Sequence, residues 1–399
     1  MHNFPGWQRD SVVSGWRLFY SAEMPQNMDI QALLQTPRAG LRPLPVHVGA
    51  VLAAYAKNPA SYANITGEMQ EMVAGIQKYQ AHPFRRSMNP LAEVWRDGQA
   101  RLFLCPSATP EKNVPVFLIP SMINRSAILD LLPGHSFLRW LSEQGCDVYM
   151  LDWGDPVRDD TMNDMQGVIR KRLVPALKFA AAKAGPVHAI GYCMGGTLLT
   201  AGAAIAPQAL RSTVFMASPW DFHAGDKVLA SHIQSGTPQA MQMVGEKGHL
   251  PANWIQSVFA VINGQRTVRK FAEFSTMDQN GEDARLFVAV EDWLNDGVDF
   301  PGGVARDCIA GWYGNNEPGR GQWKVGRKTI NPARLKVPAL VVASSTDRLV
   351  PMESSLALAE LLPRCDVLKP AIGHIGMMTG RRAVQDLWNP LLSWIENRP

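Results

Sequence analysis

VHAIGYCMGGTLLTAGAA, residues 187–204, contains three segments in succession. Val187 to Ile190 is a short apolar run suited to a strand buried on both faces. Gly191-Tyr192-Cys193-Met194-Gly195-Gly196 is a glycine-flanked turn with a cysteine near its centre, and from Thr197 small and apolar residues continue at helical spacing. Strand, sharp turn and helix in that order are the context of a nucleophile elbow, with Cys193 where a serine commonly stands. The glycines have a steric task. The apex of such a turn holds backbone angles that are costly for a residue with a Cβ, and Gly191, Gly195 and Gly196 relieve crowding on either side. The helix opening behind Cys193 favours negative charge on its sulfur and offers the Met194 N–H to an oxyanion. The competing reading is a buried structural cysteine among close-packing glycines.

Outward from the elbow the same rhythm repeats. Short β-rich runs stand at RLFLC (101–105), VPVFLIP (114–120), DVYMLDW (147–153), STVFMAS (212–218), PALVVASS (338–345) and CDVLKPA (365–371), with helical stretches between them. Alternating β and α elements predict an α/β fold, a mostly parallel sheet with helices on both faces. The rhythm stops after Ala217 and resumes only near Val337. Residues 222–334 are therefore expected to form an inserted cap, with 96–221 and 335–399 as the core. Residues 1–95, with apolar groups spaced as in Ile30-Leu33-Leu34 and Met69-Met72-Val73-Ile76, are expected to be a helical N-terminal region.

A nucleophile of this kind needs a base and an acid, each on a loop just past a later strand. Asp347 follows PALVVASST and His374 follows CDVLKPAIG. His374 would take the thiol proton, and Asp347 would hold the imidazole in the useful tautomer. Asp221, after STVFMASPW, is the rival acid. His223 precedes the last strands and reads as a cap residue. A second oxyanion donor is expected in the loop after VPVFLIP, from the Ser121 or Met122 N–H, with Asn124 and Arg125 as side-chain candidates and helix capping as the alternative.

Composition sets the outer limits. The chain has 399 residues, 46% hydrophobic and 19% charged, which is ordinary globular composition. A net charge of +4 with dispersed basic residues argues against nucleic acid as a partner. Cys105, Cys146, Cys193, Cys308 and Cys365 form no C-x-x-C pair and no zinc spacing, so neither a metal nor another cofactor is expected. MHNFPGWQRDSVVSGW lacks the basic start and apolar core of an export signal, and no apolar stretch approaches the roughly 20 residues of a transmembrane helix. A cytoplasmic protein with reduced thiols is expected.

With these residues in hand, the chain from about residue 100 onward resembles the polyhydroxyalkanoate (polyester) synthases of the α/β-hydrolase superfamily, particularly the short synthases that work with a second subunit. The resemblance rests on FLIPSMINRSAILDL, FLRWLSEQGCDVYMLDWGDP, AIGYCMGGTLL, DRLVP and GHIGMMTG, in family order. It implies an α/β-hydrolase fold with Cys193, Asp347 and His374 as the catalytic set. It also implies 3-hydroxyacyl-coenzyme A as substrate, an acyl-cysteine intermediate, transfer to a hydroxyl of a growing polyester, and a location at the polyester granule surface. Homo-oligomerisation or a second synthase subunit is implied as well. Three positions depart from the pattern: Arg348 stands where histidine is common, Trp220 where a smaller residue is usual, and Thr379-Gly380-Arg381-Arg382 differs from the usual ending. That ending is similar to the intracellular polyester depolymerases, so hydrolysis by the same triad, as a depolymerase or thioesterase, is the alternative activity. Trp254, Trp293 and Trp312 are candidates for lining an acyl channel, with core packing as the competing account.

Overall fold

The computed structural model describes residues 62–398 apart from 110, 226 and 263. Its centre is an eight-stranded sheet of β1 (Ala92–Asp97), β2 (Ala100–Cys105), β3 (Val114–Ile119), β4 (Cys146–Asp152), β5 (Val187–Tyr192), β6 (Leu210–Met216), β7 (Ala339–Val342) and β8 (Cys365–Leu368). In space the order is β1-β2-β4-β3-β5-β6-β7-β8. β1 and β2 run antiparallel to their neighbours, and every pairing from β4 to β8 is parallel. Every residue of β5 and β7, and all but the first of β3, is buried. Strands covered on both faces need continuous apolar sequence, and VPVFLI, VHAIGY and ALVV supply it.

Each of the seven β-rich runs in the sequence is a strand of this sheet. The eighth, β1, lies partly inside the stretch 1–95 that the sequence assigns to helix. AEVWRD has four exposed residues, a register shift between Glu93 and Trp95, and an exposed Arg96–Glu93 ion pair at 2.7 Å. An edge strand of this kind carries charge and irregularity in place of an apolar run, which discourages further strand pairing and removes the period-2 signal.

Ten helices are used below or flank the sheet: α1 (Tyr62–Ala81), α2 (Phe137–Glu143), α3 (Val174–Ala184), α4 (Met194–Ile205), α5 (Val228–Lys247), α6 (Ala252–Ile262), α7 (Gly264–Thr276), α8 (Glu282–Asn295), α9 (Met352–Leu361) and α10 (Asn389–Glu396). The described residues divide into two compact units. The larger is Arg86–Ile255 with Asp296–Pro399, and the smaller joins residues up to Arg85 with Gln256–Asn295. The stretch 222–334, a single insertion in the sequence reading, is thus divided between them. In the smaller unit Met72, Ile76 and Tyr79, on one face of α1, pack with Val268, Phe271 and Phe274 of α7 and with Ala284 and Val288 of α8. The Tyr79 hydroxyl donates to Asp292 Oδ1 at 2.8 Å. A core shared by distant segments explains the division, because α7 and α8 bury their apolar faces with α1. Residues 1–61, including the Ile30-Leu33-Leu34 pattern, lie outside the described residues.

Candidate active site

β5 ends at Tyr192 and α4 begins at Met194, so Cys193 occupies the turn alone, with φ 57° and ψ −129°. That region favours glycine, and a residue bearing a Cβ is held there at a cost of about 1–3 kcal/mol. Two main-chain bonds hold it: the Cys193 N–H donates to Met216 O at 2.8 Å, and its carbonyl accepts from the Gly196 N–H at 2.9 Å. The glycines permit close approach. A Cβ on Gly191 would lie 2.5 Å from the Gly196 Cα, and one on Gly196 would lie 1.7 Å from Ser218 Oγ. A Cβ on Gly195 would lie 2.2 Å from Ile119 O and 2.8 Å from Pro120 O, so the start of α4 sits directly against the end of β3.

That contact brings the loop Pro120–Asn124 to the elbow. Met122 is fully buried and Ser121 partly so. The Trp153 indole donates to Pro120 O at 3.1 Å, and the Ile123 N–H donates to Ser121 Oγ at 3.2 Å. The far side of the loop is tied by the Val298 N–H to Ile123 O at 3.0 Å and by a bridge between Asn124 and Gly297. Among the described residues neither the Ser121 nor the Met122 N–H enters a backbone hydrogen bond. The Met194 N–H, first in its helix, has no intrahelical acceptor. Asn124 belongs to the bridge just described, while Arg125 donates to Gly154 O and lies 3.8 Å from Asp296. Gly195→Ala is expected to push α4 away from β3, costing about 3 kcal/mol in a denaturant titration. Displaced donors would also slow any reaction that develops an oxyanion beside Cys193 by about 10²-fold.

Asp347 and His374, in the loops after β7 and β8, are both buried. His374 Nδ1 donates to Asp347 Oδ2 at 2.7 Å. The other oxygen, Oδ1, accepts from the Leu349 N–H at 2.8 Å and the Val350 N–H at 3.0 Å. Burial alone would raise the Asp347 carboxyl, but the His374 charge and hydrogen bond, with the two backbone donors, hold it below the usual carboxylate range. Cys193 also lies in electrostatic range of the His374 ring. Burial lowers its basicity, and the negative charges of Asp347 and Cys193 outweigh burial, so it sits well above the ordinary histidine value. The structure therefore brings His374 and Asp347 into direct contact, with Cys193 in electrostatic range of the imidazole.

The rival acid is engaged elsewhere. Asp221 Oδ1 accepts from the His223 N–H and from Asn316 Nδ2, both at 2.8 Å. His223 Nε2 donates to Tyr313 O at 2.8 Å. These contacts fasten the segment after β6 to the π-helix Asp307–Gly314. Arg348 is exposed beside Asp347, and Trp220 is fully buried, its ring 6.0 Å from that of Trp323. Trp254 and Trp312 are buried, and Trp312 packs 5.4 Å from Phe222 and 5.3 Å from Trp323. Among the described residues no cluster of histidine, cysteine and carboxylate side chains is arranged to hold a metal ion.

Several groups around the site left no trace in the sequence reading. The Tyr313 phenol lies in electrostatic range of Cys193 and Cys308. Burial, ahead of those two thiols, pushes it far above its ordinary value. Tyr192, Ser344 and Trp153 donate to the main-chain carbonyls of His374, Ile372 and Pro120, which accept from any donor and so impose no spacing on the sequence.

The chain is 29% identical over 317 residues to the poly(3-hydroxyalkanoate) polymerase subunit PhaC of Haloferax mediterranei, covering 77% of this chain and 64% of that protein. It is 27% identical to the protein of the same name from Synechocystis sp., over 71% of this chain and 78% of the other. With the Allochromatium vinosum protein of that name it shares 26% identity, over 73% and 84%. Among solved structures, the alpha/beta hydrolase GrgF from Penicillium sp. sh18 matches at a TM-score of 0.46 and 16% identity, over 78% of this chain and 99% of that one. The model of the alpha/beta hydrolase family matches residues 131–385, a span that contains Cys193, Asp347 and His374. With the β-strand order, the strained turn after β5 and that match in agreement, the chain belongs to the alpha/beta hydrolase family.

Proposed function

We propose that this protein is an acyltransferase of the polyester-synthase type, which forms an acyl-cysteine from a 3-hydroxyacyl-coenzyme A and passes the acyl group to a hydroxyl of the growing chain. In the first half-reaction the Cys193 sulfur attacks the thioester carbonyl. Met194 N–H, with the Ser121 or Met122 N–H, stabilises the oxyanion, and the coenzyme A thiolate leaves with a proton from His374. In the second, His374 takes the proton of a 3-hydroxyl group as its oxygen attacks the acyl-cysteine. An ester forms and the Cys193 thiolate is released beside the imidazolium. Asp347 keeps Nδ1 protonated, so that Nε2 faces the sulfur. A thioester intermediate suits this chemistry because it keeps the acyl group activated for a second transfer.

The observation that carries the reading is the 2.7 Å bond from His374 to Asp347, with Cys193 in electrostatic range of the same imidazole. The similarity to proteins named poly(3-hydroxyalkanoate) polymerase supports the choice of acceptor. The parts of 222–334 that belong to the larger unit are assigned the role of excluding water from Cys193, supported by Tyr313 within its electrostatic range. Granule attachment and a second subunit belong to the same proposal. Among the described residues no helix is long and apolar enough to cross a membrane.

The test is product analysis with 3-hydroxybutyryl-coenzyme A. Oligomeric or polymeric ester accumulating with coenzyme A is the expected result. Free 3-hydroxybutyrate released in step with coenzyme A would assign the chain to hydrolysis instead.

A further inference from the structure

The loop that carries His374 is held by side-chain donors from three different elements, each bonded to a main-chain carbonyl of that loop. Ser344, past the end of β7, donates to Ile372 O at 2.7 Å. Trp388 donates through its indole to Met377 O at 2.8 Å. Between them the Tyr192 hydroxyl donates to the carbonyl of His374 itself at 3.0 Å. The Tyr192 ring also lies 5.0 Å from the imidazole at an interplanar angle of 31°. Its side chain is 2% exposed, so bond and ring contact are both sheltered from water.

Tyr192 is the last residue of β5 and directly precedes Cys193. The dipeptide that aims the nucleophile thus also grips the base. We infer that Tyr192 is a positioning residue, which through its bond to the His374 carbonyl and its ring contact fixes His374 relative to Cys193. This rests on the catalytic reading of Cys193 given above. The charged or titratable groups facing the imidazole are Asp347, Cys193 and Tyr192 itself, with Tyr313 near the sulfur. Burial, followed by the negative charges of Cys193 and Asp347, holds the Tyr192 phenol far above its ordinary value, so it stays a donor at any working pH. Only a protonated hydroxyl can serve a carbonyl acceptor.

Tyr192→Phe removes the donor and keeps the ring. Three measurements follow in parent and variant: iodoacetamide labelling of the peptide containing Cys193 at neutral pH, NMR titration of His374, and kcat and KM for 3-hydroxybutyryl-coenzyme A. The expected result is labelling slower by about tenfold, with the His374 titration moved down by about one pH unit towards the ordinary histidine value. kcat should fall with KM unchanged. Tyr192→Leu, which removes the ring as well, should extend both shifts.

A merely structural tyrosine would lower the thermal midpoint and leave the His374 titration where it is. Parent-like labelling and titration in Tyr192→Phe, with Cys193 activated in the parent, would overturn the inference and spare the catalytic reading. The part-exposed Cys365, whose thiol burial pushes up to about 11, is the internal reference. If Cys193 in the parent labels no faster than Cys365, the catalytic reading falls and takes the inference with it.

Discussion

Cys193→Ala is expected to lower turnover of 3-hydroxyacyl-coenzyme A by about 10⁶-fold while leaving the fold intact. The size follows from the role proposed for the sulfur. Without it no acyl-enzyme forms, and what remains is binding together with the oxyanion donors, worth about 10³–10⁴ over the uncatalysed reaction. The fold should tolerate the change because alanine keeps the Cβ in the same strained turn, and the main-chain bonds to Met216 O and from Gly196 N–H do not involve the sulfur. The variant should also lose part of what holds His374 charged, since the Cys193 sulfur contributes to that imidazole's raised value. Release of coenzyme A thiol, read against time for parent and variant at equal concentration, measures the loss. A reduction of less than about 10²-fold would mean that the reaction does not pass through this sulfur.

The second large effect is expected at Asp347→Asn, a reduction in kcat of about 10⁴-fold with KM little changed. An amide in place of the carboxylate can offer its N–H to Nδ1, favouring the tautomer with the proton on the wrong nitrogen. The charge on the imidazole loses its main partner at the same time. Stability should follow pH in a way that identifies the pair. Asp347 is held below its unfolded value, so its contribution is present above about pH 3.9 and is lost as pH falls through the folded value. His374 is held above its unfolded value, so its contribution is complete below about pH 6.5 and is lost as pH rises through the folded value. The stability difference between parent and Asp347→Asn should therefore be greatest between about pH 4 and 6.5 and shrink on either side. Denaturant midpoints measured across that range check it. A difference independent of pH would assign Asp347 to its turn, through the Leu349 and Val350 N–H groups, and remove it from the pair.

Sequence and structure agree most closely where burial is greatest. VPVFLI, VHAIGY and ALVV are legible because a strand covered on both faces has little choice of residue, and the elbow is legible because only glycine fits where α4 meets β3. Asp347 and His374 meet for a related reason, since loops past the ends of parallel strands all open on the same side of the sheet. What escaped lacks such constraints. β1 is an exposed edge with charged side chains, so its sequence carries no strand period. The division of 222–334 between two units depends on α7 and α8 sharing a core with α1, and pairing between distant segments leaves no local period. Tyr192 stood in plain view beside Cys193, yet its partner is a carbonyl that any residue at position 374 would present.

Rapid quenching of the protein with 3-hydroxybutyryl-coenzyme A, followed by mass analysis of the peptide that contains Cys193, tests the central claim most directly. A single 3-hydroxybutyryl group on the Cys193 sulfur, formed as coenzyme A appears and absent from Cys193→Ala, is the predicted result. Coenzyme A released at full rate with Cys193 unmodified at every time, or the acyl group found on another residue, would contradict it.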